Sequence, residues 1–308
     1  MRKQAPDHGP GSPLSVTRWR AEDASRSVPL FQCLASRLKV SPEEASDLID
    51  FGSVQVNGHR ERKPARILEG GEEIAVYWPW TGVRRHYEID PRRIVFQDSC
   101  LLAYDKEAGI PSQQTPSDAY NNVFAAAYRY REKLGGKDPY VALHHRLDRE
   151  TSGILLLALD REVNRHLGNA FRDRRVVKDY AAWVSGTPAR DSWVSREPIG
   201  RKGGRYRTVP PGEGKPAETL FWVLSRRENG SLVRARPVTG RTHQIRLHLE
   251  AAGHPILGDR LYGGPPEKRL FLHAWCLQLR HPVSGSPLVL PAAVPPDWPE
   301  PRPDIPPD

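Results

Sequence analysis

The chain has 308 residues, more than one typical domain of about 100–200, and a formal net charge of +9 from 46 Lys and Arg against 37 Asp and Glu. That balance points to a polyanionic partner, nucleic acid first, and only ten of the 46 cations are lysines, so the charge is mainly guanidinium, suited to phosphate forks and base stacking. Cys33, Cys100 and Cys276 lie far apart with no CxxC pair, and no apolar run approaches the roughly 18 residues of a membrane span. A disulfide or zinc framework, a membrane protein and a secreted protein are therefore not expected, and a cytoplasmic location is.

Residues 1–27 are rich in Pro, Ser, Arg and Gly without a sustained period, so an unordered tail is expected there. Leu30, Phe31, Leu34, Ala35 and Leu38 then recur at helical spacing. Ser41-Pro42-Glu43-Glu44 is a capping box with proline at the first helical position, opening a second helix whose stripe is Ala45, Leu48 and Ile49. Val54 and Val56 alternate into Asn57-Gly58, a tight-turn pair, and Ile74, Val76 and Trp78 resume the alternation after Gly70-Gly71. This gives a small α/β domain over 28–78, followed by a linker over 79–87.

A larger unit is expected over 88–292, with a proline-rich tail over 293–308. Strands are expected at Ile94–Phe96, Leu101–Tyr104, Ile154–Leu159 and Tyr180–Val184. Helices are expected over Asn122–Leu134, Arg161–Arg174 and Thr242–Ala252, the last capped by Thr242. Helices and strands do not alternate strictly and no period of 20–50 residues repeats, so the fold class is α+β with a mixed, mainly antiparallel sheet.

Residues 28–78 resemble the S-four-type RNA-binding domain, through the short helix pair, then Gly52-Ser53-Val54-Gln55-Val56-Asn57-Gly58, a turn and a closing strand. The resemblance implies RNA contact by Arg37, Lys39, Arg60 and Arg62. Gly71-Glu72 stands where that family usually has Gly-Asp. Taken singly, each of these four residues reads first as an ordinary solvated surface charge, and it is their clustering on so small a module that favours RNA contact.

The polar turn His144-His145-Arg146-Leu147-Asp148-Arg149-Glu150-Thr151-Ser152-Gly153 feeds the apolar run Ile154–Ala158, which places charged groups at the edge of a core. By itself, Asp148 between two arginines is an ordinary ion pair, Tyr180 a core tyrosine and Arg246 a helix-surface charge. The string as a whole resembles the signature of the RluA-type pseudouridine synthases, His-Arg-Leu-Asp-Arg-x-Thr-Ser-Gly. Lys178-Asp179-Tyr180, Gly240–His248 and Gly253–Asp259 resemble further motifs of that family in the same order, so the resemblance spans about 90–292. One turn departs from it, with Lys106-Glu107-Ala108-Gly109 where the family commonly has Lys-Pro-Ala-Gly.

The resemblance implies a pseudouridine synthase fold, with Asp148 as nucleophile, Tyr180 packing on the target base and able to assist proton transfer, and Arg246 as the ionic partner of Asp148. Arg146 and Arg241 are nominated for the flanking phosphates. No cofactor and no metal are required, the partner is RNA, with structured ribosomal RNA favoured over transfer RNA, and a monomer is expected. Two other readings compete with this one. A binder that has lost catalysis would not need Asp148, Tyr180 and Arg246 together. A metal hydrolase using His144, His145, His243 and His248 is disfavoured because His243 and His248, five apart, diverge on a helix.

Overall fold

The computed structural model describes residues 15–22, 28–79, 82–135 and 137–299. The chain divides into two compact units, one of residues 1–88 with 113–126, the other of 89–112 with 127–308. The 88–292 segment is thus not continuous, because residues 113–126 are tied into the first unit: the buried Ser53 hydroxyl donates to Ser117 O (2.7 Å) and Ala119 N–H to Phe51 O (3.1 Å).

In the first unit the elements are β1 (Val16–Arg20), α1 (Leu30–Leu38), α2 (Pro42–Asp50), β2 (Val54–Val56), β3 (His59–Arg60) and β4 (Glu73–Tyr77). The capping box forms as read, with Ser41 Oγ accepting from Glu44 N–H (3.1 Å) and Glu44 Oε2 from Ser41 N–H (3.0 Å). Asn57 and Gly58 take φ of 52° and 77°, the left-handed pair that a tight hairpin turn requires. The sheet order is β1-β4-β2-β3. Strand β1 corrects the expectation of an unordered tail for this stretch: it pairs antiparallel with β4 from Val16↔Tyr77 to Arg20↔Glu73, and Trp19 packs on the core of Leu30, Leu34, Ile49 and Ile74. Its ordering comes from a partner far along the chain. The remainder of that expected tail, 1–14 and 23–27, lies outside the described residues.

The second unit holds β5 (Ile94–Gln97), β6 (Leu101–Lys106), most of α3 (Val123–Lys133), β7 (Ala142–Leu143), β8 (Ser152–Ala158), α4 (Arg161–Arg172), β9 (Val177–Val184), β10 (Ser192–Ser195), the hairpin β11 (Ile199–Lys202) and β12 (Arg205–Thr208), β13 (Thr219–Arg227), β14 (Gly230–Pro237), α5 (Gln244–Ala251), β15 (Leu272–Arg280) and β16 (Pro287–Pro291). Ten of these strands form one sheet, ordered β10-β13-β14-β9-β15-β8-β6-β5, with β16 on β15 and β7 on β8. Among the described residues every pairing in it is antiparallel except β15 with β8, so the sheet is mixed and mainly antiparallel. In that parallel pair Gly153 lies opposite Ala274. A Cβ on Gly153 would stand 2.2 Å from Ala274 O, and its φ is 108°, so this contact requires glycine.

Strand β8 is buried along its length, which explains why its apolar run lacks alternation. One core gathers β9, β13, β14, α5 and β15; a second gathers β6, β8, α4 and β16. Val294 and Trp298 are buried in the first of these, Trp298 edge-on to Phe271 and His273, which corrects the expected tail over 293–308 for its first part. Aromatic burial outweighs the local disorder signal of the prolines. Residues 300–308 lie outside the described residues.

Candidate active site

The turn carrying Asp148 is fixed by its neighbours. The buried Ser112 hydroxyl donates to Leu147 O (2.8 Å) and accepts from Leu147 N–H (3.0 Å). Lys106, fully buried, donates to Glu107 O (2.8 Å), Ile110 O (2.8 Å) and Arg149 O (3.1 Å), which uses all three N–H bonds of its ammonium. Burial pulls Lys106 down to about 7, while the nearby Glu150 and Asp148 charges act the other way. Gly109 and Arg149 clasp each other, Gly109 N–H donating to Arg149 O (2.8 Å) and Arg149 Nε to Gly109 O (2.9 Å). The Lys106–Gly109 turn is thus bound to the signature turn without a proline at position 107. Beyond it, Ser152 Oγ accepts from Arg269 (2.6 Å) and lies 2.8 Å from His273 Nδ1.

Arg246 projects from α5 and is 5% exposed. Its guanidinium grips Asp259 with two bonds of 2.7 Å, from Nε to Oδ2 and from the second terminal nitrogen to Oδ1. Its remaining nitrogen donates to Asp148 Oδ2 at 3.3 Å. Asp259 is itself set by the amides of Leu261 (3.1 Å) and Tyr262 (3.2 Å), and the Tyr262 ring lies 5.0 Å from the guanidinium carbon. Burial alone would lower the Arg246 pKa, but the hydrogen bonds and charges of Asp259 and Asp148 raise it, so the cation is secure. Asp259 closes the Gly253–Asp259 motif, and nothing in its local sequence marks it as the partner of Arg246. A carboxylate thirteen residues from its arginine carries no local signal.

Helix α5 starts differently from expectation. Thr242 does not cap it; His243 occupies the cap position in the left-handed region (φ 57°, ψ 21°), and no side chain caps the helix. The Gln244 side chain holds this start by accepting from Arg241 N–H (3.0 Å) and Thr239 Oγ1 (2.7 Å). A non-glycine residue in that region costs about 1–3 kcal/mol and persists where surroundings enforce it. His243 Nε2 lies 3.9 Å from Asp148 Oδ2, and its Nδ1 is 2.6 Å from the Tyr262 hydroxyl.

Alternation along β9 places Asp179 and Tyr180 on opposite faces. Tyr180 faces the site, where burial first and then the Asp148 charge push its phenol well above the usual range, so it stays protonated. Asp179 faces away and accepts two bonds each from Arg234 (2.9 and 3.0 Å) and Arg236 (2.9 and 2.7 Å). Asp148 and Arg246 are therefore paired, the Asp148 charge reaches Tyr180, and Arg241 lines a groove of about 540 Å³ with Arg201, Tyr206 and Lys215. Arg146 is exposed, as are Arg37, Lys39 and Arg62 in the first unit. Arg60 is placed differently from a free surface cation: it donates to Gly52 O (2.6 Å) and Thr115 O (2.5 Å), a tie within that unit.

Among the described residues the four histidines of the metal-hydrolase reading do not converge as ligands, although His144 and His145 both stack on Phe171. His144 lies 2.7 Å from Asn164 Oδ1, His145 Nε2 accepts from Leu156 N–H (2.9 Å), and His248 sits between Thr219 Oγ1 (2.9 Å) and Glu197 O (3.0 Å). Among the described residues, Asp98, Cys100 and His281 lie close enough to share an ion. Their chemistry suits a fold clasp instead. His281 Nδ1 accepts from the amides of Val283 and Ser284, which puts the proton on Nε2, donated to Asp98 Oδ2 at 2.7 Å, and a metal on Nε2 would require the opposite tautomer.

Residues 100–251 match the family model described as RNA pseudouridylate synthase. The chain is 35% identical over 290 residues, 86% of each chain, to ribosomal large subunit pseudouridine synthase C of Pasteurella multocida. This chain belongs to the RNA pseudouridylate synthase family. The Escherichia coli K12 protein named ribosomal large subunit pseudouridine synthase C is 33% identical over 305 residues, covering 88% of this chain and 90% of its own. Among solved structures, human RNA pseudouridylate synthase domain containing 4 superposes with a TM-score of 0.57 at 28% identity, over 66% of this chain and 89% of that one. The synthase fold is thus that of the family, and the matched span includes Asp148, Tyr180 and Arg246.

Proposed function

We propose that this synthase isomerises uridine in large-subunit ribosomal RNA, with Asp148 as the nucleophile. The supporting observation is the alignment of one partly exposed carboxylate, Asp148, against a buried guanidinium that Asp259 holds from behind. Arg246 gives the Asp148 carboxylate a cationic partner at 3.3 Å at the edge of the core, which orients it for attack. The bond that Asp148 makes in attacking the nucleoside is broken again within the same turnover, which frees the carboxylate; across the turnover the C1′–N1 bond breaks, the uracil turns, C5 bonds to C1′, the C5 proton leaves to solvent and N1 gains one. Nothing is oxidised or reduced. Tyr180 packs on the base that has left its stack, its hydroxyl protonated and able to take part in proton transfer.

The names of the bacterial relatives support ribosomal RNA as substrate, and with it a cytoplasmic site of action. Exposed Arg146, and Arg241 at the groove, contact phosphates beside the target; Arg37, Lys39 and Arg62 extend the contact as part of an S-four-type domain over 28–78. The protein works as a monomer without a cofactor. The test is a pseudouridine map of RNA from cells lacking the gene, complemented by the native protein or by Asp148→Asn. Loss of one site that only the native protein restores supports the reading and names the uridine. An unchanged map, or restoration by Asp148→Asn, overturns it.

A further inference from the structure

The contacts to the Asp148 carboxylate are one-sided. Arg246 at 3.3 Å and His243 at 3.9 Å both face Oδ2. Exposure divides the site in the same sense: the Arg246 and Asp259 side chains are 6% and 1% exposed, whereas those of His243 and Asp148 are 22% and 26%. His243 therefore stands on the open side of the carboxylate, where a nucleotide would enter, and Arg246 on the closed side.

Two features show that the imidazole is placed and not incidental. Its backbone is held left-handed at the start of α5, a conformation that a β-carbon disfavours. Its ring is fixed between two tyrosines, edge-on to Tyr206 at 6.0 Å and to Tyr262 at 5.5 Å, with the Tyr262 hydroxyl 2.6 Å from Nδ1. The charge on Asp148 decides which nitrogen carries the proton. A bare lone pair on Nε2 would face the carboxylate and be repelled, whereas Nε2–H is attracted, so Nδ1 must accept and the Tyr262 hydroxyl must donate. Burial pushes the Tyr262 phenol up to about 12, which keeps it a donor, and burial together with the Arg246 charge outweighs the acidic neighbours to hold the His243 ring neutral.

We infer that His243 is a positioning residue which, as the Nε2–H tautomer that the Asp148 charge and the Tyr262 hydroxyl select together, holds Oδ2 of Asp148 jointly with Arg246 and leaves Oδ1 as the attacking atom. The inference rests on Asp148 being the nucleophile. At 3.9 Å the contact is an ion–dipole one; closing by less than about 1 Å with RNA bound makes it a hydrogen bond, as catalytic contacts commonly tighten in the complex.

The test compares His243→Asn, Tyr262→Phe, the double variant and Asp148→Asn on large-subunit ribosomal RNA carrying tritium at uridine C5, in single-turnover release of label. Asparagine tolerates the left-handed backbone but is too short to reach Oδ2, and phenylalanine keeps the ring over Arg246. His243→Asn is expected to slow release about 10- to 100-fold with RNA affinity unchanged, the range for a hydrogen bond to a charged group. Tyr262→Phe slows it less, and the double variant is no slower than His243→Asn alone, because both act through one proton position. Nitrogen-15 NMR of the native ring reports Nε2–H directly, without relying on any variant. Multiplying rate losses, a native rate in His243→Asn, or an Nδ1–H ring each overturn the inference. If Asp148→Asn keeps the native rate, the nucleophile reading fails instead, and the ring spectrum still reports the tautomer.

Discussion

Replacing Asp259 by asparagine removes the charge behind Arg246 while preserving shape. Asp259 is 1% exposed and returns two bonds of 2.7 Å to the guanidinium, so the variant turns one of them into an N–H facing an N–H. Breaking one side of a buried pair costs about 3–5 kcal/mol. Asp148 at 3.3 Å remains as a counter-charge, which places the expected loss at the low end, about 3 kcal/mol of a net stability of roughly 5–15. Released from behind, Arg246 turns toward Asp148 and moves the carboxylate; a displacement of about 1 Å at a reacting group costs on the order of 100-fold in rate. Urea unfolding followed at the tryptophans measures the first effect, and single-turnover tritium release measures the second. A variant within about 0.5 kcal/mol of native stability and within about twofold of its rate would refute the clamp.

Gly153→Ala forces a Cβ to within 2.2 Å of Ala274 O at a φ of 108°, so it is expected to destabilise by more than about 3 kcal/mol and to yield little folded protein; a native urea midpoint would contradict the packing. Burial alone would raise the Asp179 pKa, but the bonds from Arg236 and Arg234 overcome it and hold it below the ordinary value. Its folded pKa being depressed, its stability contribution is present above the unfolded value of about 3.9 and is lost as pH falls through the lower folded value. Asp179→Asn should therefore be less stable at about pH 7 and show a shallower fall in urea midpoint between about pH 5 and about pH 2; an unchanged acid limb would argue against the pair. Arg241→Ala should weaken RNA binding and reduce its salt dependence by about one ion, and an unchanged slope would remove Arg241 from the phosphate contacts.

What could be read from sequence was what is decided locally. The capping box at Ser41, the Asn57-Gly58 turn and the apolar run of β8 each depend on neighbours within a few residues, and each forms as read. Strand β1 and the docking of Trp298 depend on partners elsewhere in the chain, against local compositions that suggest disorder. The same division runs through the site. Asp148 stands in the family signature and Tyr180 and Arg246 in its further motifs; the structure pairs Asp148 with Arg246 at 3.3 Å, and the Asp148 charge reaches Tyr180. Asp259 and His243 were in quoted motifs, but their roles arise from an ion pair across a loop and from a left-handed residue where Thr242 looked like the cap. Arg60 illustrates the converse, a basic residue nominated for RNA that donates to two backbone carbonyls.

The most direct measurement of the central claim is tritium release from C5-labelled large-subunit ribosomal RNA by purified native protein and by Asp148→Asn, each in excess over RNA, with binding measured in parallel. The account predicts that both bind the RNA and that only the native protein releases label. Release by Asp148→Asn at the native rate would contradict it.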